Sequence, residues 1–141
     1  MFIVSSKYEL TVSFEDLDPM NIVWHGNYVR YMERARCDLF TKLRYTYLDM
    51  HNDGIMYPIA KMETKYIKPA EFLDKLIVET SIISIEPTLD MKYKIYKKDT
   101  NEKIFEAKTM QIAVNPKTRE SVFTPPKTLV QILNGKENEE I

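Results

Sequence analysis

From Asn27 onward the apolar residues of this chain fall into step with a helix, and that single stretch governs what the rest can build. Tyr28, Tyr31, Met32, Ala35, Leu39 and Leu43 recur at three- and four-residue spacing, while Arg30, Glu33, Arg34 and Lys42 lie off the stripe. The pattern predicts one amphipathic helix from Asn27 to about Leu48, on the order of 30 Å long. Asn52, Asp53 and Gly54 end it. A helix with one apolar face needs a surface to lie on, and the flanking sequence supplies sheet. Tyr8, Leu10, Val12 and Phe14 alternate with Glu9, Thr11 and Ser13, the signature of a half-buried strand. Segments near 57–67, 75–86, 88–98, 103–115 and 119–123 are rich in β-branched and aromatic residues, with turn chemistry at Glu86-Pro87-Thr88, Asp99-Thr100-Asn101 and Asn115-Pro116-Lys117. Thr124-Pro125-Pro126 opens a short helix through Leu133, stopped by Gly135.

The expected class is therefore α+β: a long antiparallel sheet with one face for the long helix, and a short C-terminal helix. Residues 1–134 form one domain, and 135–141 form a polar, frayed tail. Such a sheet has edges and an outer face to cover in a small domain, and self-association covers them at least cost.

Charge and composition remove several functions. Twenty Lys and Arg nearly cancel twenty-one Asp and Glu, so no overall field recruits nucleic acid or anionic lipid. No run approaches the ~20 apolar residues that span a bilayer, and the start lacks a basic n-region. The one cysteine, Cys37, rules out an internal disulfide framework. These features point to a cytoplasmic protein. Cys37 itself reads as a small core residue, being mid-helix and away from any activating helix N-terminus.

The candidate chemistry sits just before the long helix, in FEDLDPMNIVWHGNYVRYMERAR, residues 14–36. Asp-x-Asp-Pro is an ordinary way to turn a chain, because Asp side chains bond nearby backbone N–H groups and Pro19 holds Asp18 extended. Position gives a second reading. A helix start gathers unpaired N–H donors and the positive end of the helix dipole. A carboxylate beside those donors suits attack on a carbonyl, the donors holding the oxyanion while the carboxylate attacks or activates water. Asp16, Asp18 and His25 lack any recognised metal-ligand spacing. The chain also has no G-x-S-x-G elbow and no phosphate-binding glycine loop.

The same run resembles the signature of hotdog-fold acyl-CoA thioesterases of the 4-hydroxybenzoyl-CoA thioesterase family. Its histidine and its M-E-R-A-R segment are most similar to the Tol–Pal-associated acyl-CoA thioesterases. YIKPAEFLDKLIV, residues 66–78, resembles the family's strand, bend and next strand. The resemblance implies that Asp18 is the catalytic carboxylate, as nucleophile or general base. It implies that the backbone N–H of His25 polarises the thioester carbonyl, with the His25 ring also implicated. Asn27, Tyr28 and Glu33 match recurrent positions on the central helix, and Lys65 and Lys68 are available for the CoA phosphates. The family fold wraps a long antiparallel sheet around the one central helix and pairs two subunits edge to edge with the acyl thioester between them, so a homodimer or homotetramer is expected, and no cofactor. One departure stands out: where a glycine is usual, this chain has Asn21, a residue that tolerates positive φ less freely than glycine.

The leading expectation is hydrolysis of an acyl-CoA thioester. Alternatives are release of acyl groups from an acyl carrier protein, and a non-catalytic acyl-CoA-binding module on the same fold. Met56, Met62, Met91 and Met110 are candidates to line an adaptable pocket for an aliphatic acyl group.

Overall fold

The computed structural model describes residues 1–141. Strand β1 (Val4–Thr11) leads through a single 3-10 turn (Phe14–Asp16) to helix α1 (Asn27–Lys42) and helix α2 (Tyr47–Asn52). Strands β2 (Ile59–Tyr66), β3 (Lys75–Ser84), β4 (Leu89–Lys97) and β5 (Lys103–Gln111) follow. A short ribbon of β6 (Ala113–Val114) and β7 (Ser121–Val122), helix α3 (Lys127–Leu133) and strand β8 (Glu139–Glu140) complete the chain. Six strands form one sheet in the order β2-β5-β4-β3-β1-β8, antiparallel except for β1 and β8. This is the hotdog arrangement, with α1 laid on β1 and β3 and reaching β4 and β5 through side chains.

The helical stripe is buried as its spacing requires. Tyr28, Tyr31, Met32, Ala35 and Leu39 are all at most 3% exposed. They meet the inward residues of the sheet, among them Leu89, Met91, Tyr93 and Ile95 of β4, which alternate along the strand with Asp90, Lys92 and Lys94. Arg36 belongs to the same face and is buried, while Cys37 is exposed. The expected core role of Cys37 is thus incorrect: the residue lies a full helical step off the apolar stripe.

Three further expectations change. The long helix ends at Lys42, not near Leu48, because Arg44 takes φ 58° and turns the chain. A new helix starts at Thr46, whose N–H donates to the Asp49 carboxylate at 2.7 Å. Thr46-x-x-Asp49 is a capping signal, and it outweighs continuation of the stripe. The first strand stops at Thr11, and Phe14 is 71% exposed, lying edge-on to Phe72 at 5.8 Å. Finally, the tail is ordered by pairing: Val4 and Ser5 lie opposite Glu139 and Glu140, and the Ile141 N–H donates to the Ser5 carbonyl at 2.8 Å. Its polar side chains face solvent while its backbone extends the sheet. No helix is long and apolar enough to cross a membrane.

Candidate active site

The two aspartates of D-x-D have different surroundings. Asp16 is 6% exposed, and one of its carboxylate oxygens accepts both the Ser13 N–H (3.0 Å) and the Tyr31 O–H (2.8 Å). Its backbone carbonyl accepts the Trp24 N–H (2.9 Å) and the Asn27 side-chain amide (2.8 Å). Asp16 therefore ties the loop to the first turns of α1, and Asn27 is spent on that tie.

Asp18 begins the next turn. Its N–H donates to the Ile22 carbonyl and its carbonyl accepts the Asn21 N–H, both at 2.9 Å. Closing so tight a turn requires a left-handed residue, and Asn21 sits at φ 63°. The departure from glycine therefore falls where positive φ is needed, and asparagine provides it. One oxygen of Asp18 accepts the Met20 N–H at 2.8 Å, and the other has no partner in the chain. Bridges from Leu17 to Val23 and from Ile22 to Glu71 hold the turn on the bend between β2 and β3.

Asp18, His25, Tyr28, Tyr66 and Lys68 line one groove of about 290 Å³, with Met20, Ile22 and Ile67 among its apolar walls. His25 is exposed, and its N–H and that of Gly26 have no acceptor within the chain. These two donors stand at the start of α1, where the helix dipole favours negative charge. Tyr28 forms the inner wall. It is stacked on Phe105 at 4.8 Å and its hydroxyl accepts the Ala70 N–H at 3.3 Å. Burial pushes its pKa above the ordinary value, so it stays a neutral phenol. The groove thus brings together a carboxylate with one unpartnered oxygen, an apolar lining and His25, whose N–H has no acceptor within the chain.

Other anticipated site residues lie elsewhere. Asn27 is enclosed in the loop support. Glu33 pairs with Arg36, whose guanidinium also donates to the Tyr93 hydroxyl at 3.2 Å, beneath the helix. Lys65 is on the opposite face of the sheet, among Lys92, Lys94 and Lys108, whereas Lys68 borders the groove but is paired with Glu102 at 2.7 Å. None of Met56, Met62, Met91 and Met110 lines the groove; Met91 is fully in the core, and Met20 is the methionine at the site. The sequence reading missed Tyr66, whose hydroxyl donates to the His25 carbonyl at 3.0 Å across 41 residues of chain. No local spacing announces a contact of that range.

Comparison with known proteins converges on one family. The thioesterase-like superfamily matches residues 12–132. The Bacillus subtilis protein YneP is 35% identical over 77 residues, a match spanning 55% of this chain and 56% of that protein's length. The acyl-CoA thioester hydrolase YbgC of Escherichia coli is 26% identical over 110 residues, covering 78% of this chain and 82% of its own. Among solved structures, a DHNA-CoA thioesterase from Staphylococcus aureus superposes with a TM-score of 0.81 at 26% identity, covering 98% of this chain and 99% of that one.

Proposed function

The chain belongs to the thioesterase-like superfamily, and from that premise we propose that it hydrolyses acyl-CoA thioesters to free acid and CoA. The observation that carries this is the Asp18 carboxylate, one oxygen unpartnered, in a groove it shares with His25 beside two free N–H donors. A thioester is already an activated acyl donor. A carboxylate that attacks the carbonyl carbon, or takes a proton from attacking water, needs only donors for the oxyanion and a path for the departing thiolate. His25 contributes its backbone N–H to the carbonyl oxygen, and it is an exposed residue of the groove's lining. Lys68 is the lysine placed to meet an anionic portion of the substrate, in exchange with Glu102.

The experiment is a hydrolysis screen across aliphatic chain lengths and aromatic acyl-CoAs, read by released thiol. We expect turnover of at least one class. Binding without thiol release would leave a binding module. Release only from acyl carrier protein would move the substrate from CoA to the carrier.

The active form we propose is a homodimer joined along β2, with further pairing to a tetramer as the next level. All eight residues of this edge strand are exposed, and Ile59, Met62 and Tyr66 are large apolar side chains on it. Natural sheets cover or charge such an edge, and a second copy covers it by symmetry. Tyr66 lies on this strand and lines the groove, so the partner would border the site. Sedimentation equilibrium should give a dimer or larger at micromolar protein; a folded monomer there overturns the assembly.

A further inference from the structure

The His25 carbonyl opens α1 by accepting the Tyr28 N–H, but at 3.4 Å that bond is long. The stronger partner is the Tyr66 hydroxyl at 3.0 Å, brought in from the edge strand. This carbonyl and the Gly26 N–H belong to one planar trans peptide and point in opposite directions. A donor that fixes and polarises the carbonyl therefore fixes and polarises the N–H as well. The Gly26 N–H has no acceptor within the chain. The same peptide is covered on one side: a Cβ at position 26 would come within 2.4 Å of the Trp24 ring, so the indole lies directly over Gly26. Tyr66 is itself held in place by edge-on contacts with Tyr28 at 5.3 Å and Phe105 at 5.2 Å. A half-exposed residue is thus aimed by buried aromatics at one backbone oxygen.

We propose that Tyr66 is a positioning residue: by donating to the His25 carbonyl it sets the His25–Gly26 peptide, so that the Gly26 N–H joins that of His25 as a second donor to the thioester carbonyl oxygen. This rests on the thioesterase function proposed above. Tyr66 acts on charge that develops in the transition state, so its loss falls on kcat more than on KM.

The test compares wild type, Tyr66→Phe and a protein with para-aminophenylalanine in place of Tyr66, using the best acyl-CoA from the screen. Tyr66→Phe keeps the ring contacts and removes the donor. Its kcat should fall about tenfold with KM within about twofold, since the donor peptide remains but is less fixed. Melting temperature and sedimentation should match wild type. The para-amino side chain restores an N–H donor and should recover most of kcat. Undiminished kcat in Tyr66→Phe, a loss confined to KM, or no rescue by the amino side chain overturns the inference while leaving an active thioesterase. A wild-type protein that releases no thiol from any acyl-CoA overturns the thioesterase function and this inference with it.

Discussion

Asp18→Asn is expected to fold, to bind acyl-CoA and to lose on the order of 10² or more in kcat. The amide matches the carboxylate in shape, and its oxygen can still accept the Met20 N–H that holds the turn. What disappears is the negative oxygen that has no partner in the chain and is available to attack or to take a proton. Because the turn survives, the effect should show in kcat with a melting curve close to wild type. The kcat of His25→Ala should fall between those of Asp18→Asn and Asp16→Asn, since truncation removes the ring and keeps the backbone N–H. Steady-state kinetics and thermal melts on both variants make the check, and an Asp18→Asn protein with near-normal kcat would reduce the carboxylate to a turn-former.

Asp16→Ala should show the opposite profile, a loss of about 3 kcal/mol in stability with a far smaller effect on catalysis than Asp18→Asn. One Asp16 oxygen satisfies both the Ser13 N–H and the buried Tyr31 hydroxyl. Deleting it strands two donors, at about 1–3 kcal/mol each for those kept from water. For a domain of this size the loss corresponds to roughly 10 °C in Tm. Asp16→Asn is the milder control, because its amide oxygen can occupy the same place; it should cost about 1 kcal/mol. Calorimetry on the pair gives the answer, and an Asp16→Ala protein that melts with wild type would show that the loop does not depend on this tie.

That the aspartates divide in this way was only partly legible. Alternation cannot distinguish them, since a strand running on from Tyr8 would give both the same parity. The chain instead leaves the strand at Thr11 and makes a 3-10 turn, because the Asp16 carboxylate captures the Ser13 N–H. Pro19 holds Asp18 extended and the family resemblance favours Asp18, but neither reveals the Tyr31 bond, which crosses 15 residues. The α1 stripe and the β4 alternation were readable because each element buries one face against one partner. The strand β2 was recognisable as strand but not as an uncovered edge, a property of sheet order that no local pattern carries. Lys65 and Lys68 looked equivalent for a related reason. The N–H groups of Ile67 and Lys68 both donate to the Ile104 carbonyl, at 2.9 and 3.1 Å, so the strand's alternation ends between the two lysines. Only Lys68 reaches the groove.

Trp24, the one tryptophan in the chain, is half exposed with its ring centre 5.2 Å from that of His25. Indole emission responds to the polarity around the ring, and no second indole contributes a background. The protein therefore carries its own optical reporter beside His25, one of the residues lining the groove. Entry of an acyl chain, or closure of a second subunit over the edge strand, would change the water around that ring and shift its colour, so occupancy could be followed in real time on unlabelled protein, including the Asp18→Asn variant with its expected slower turnover.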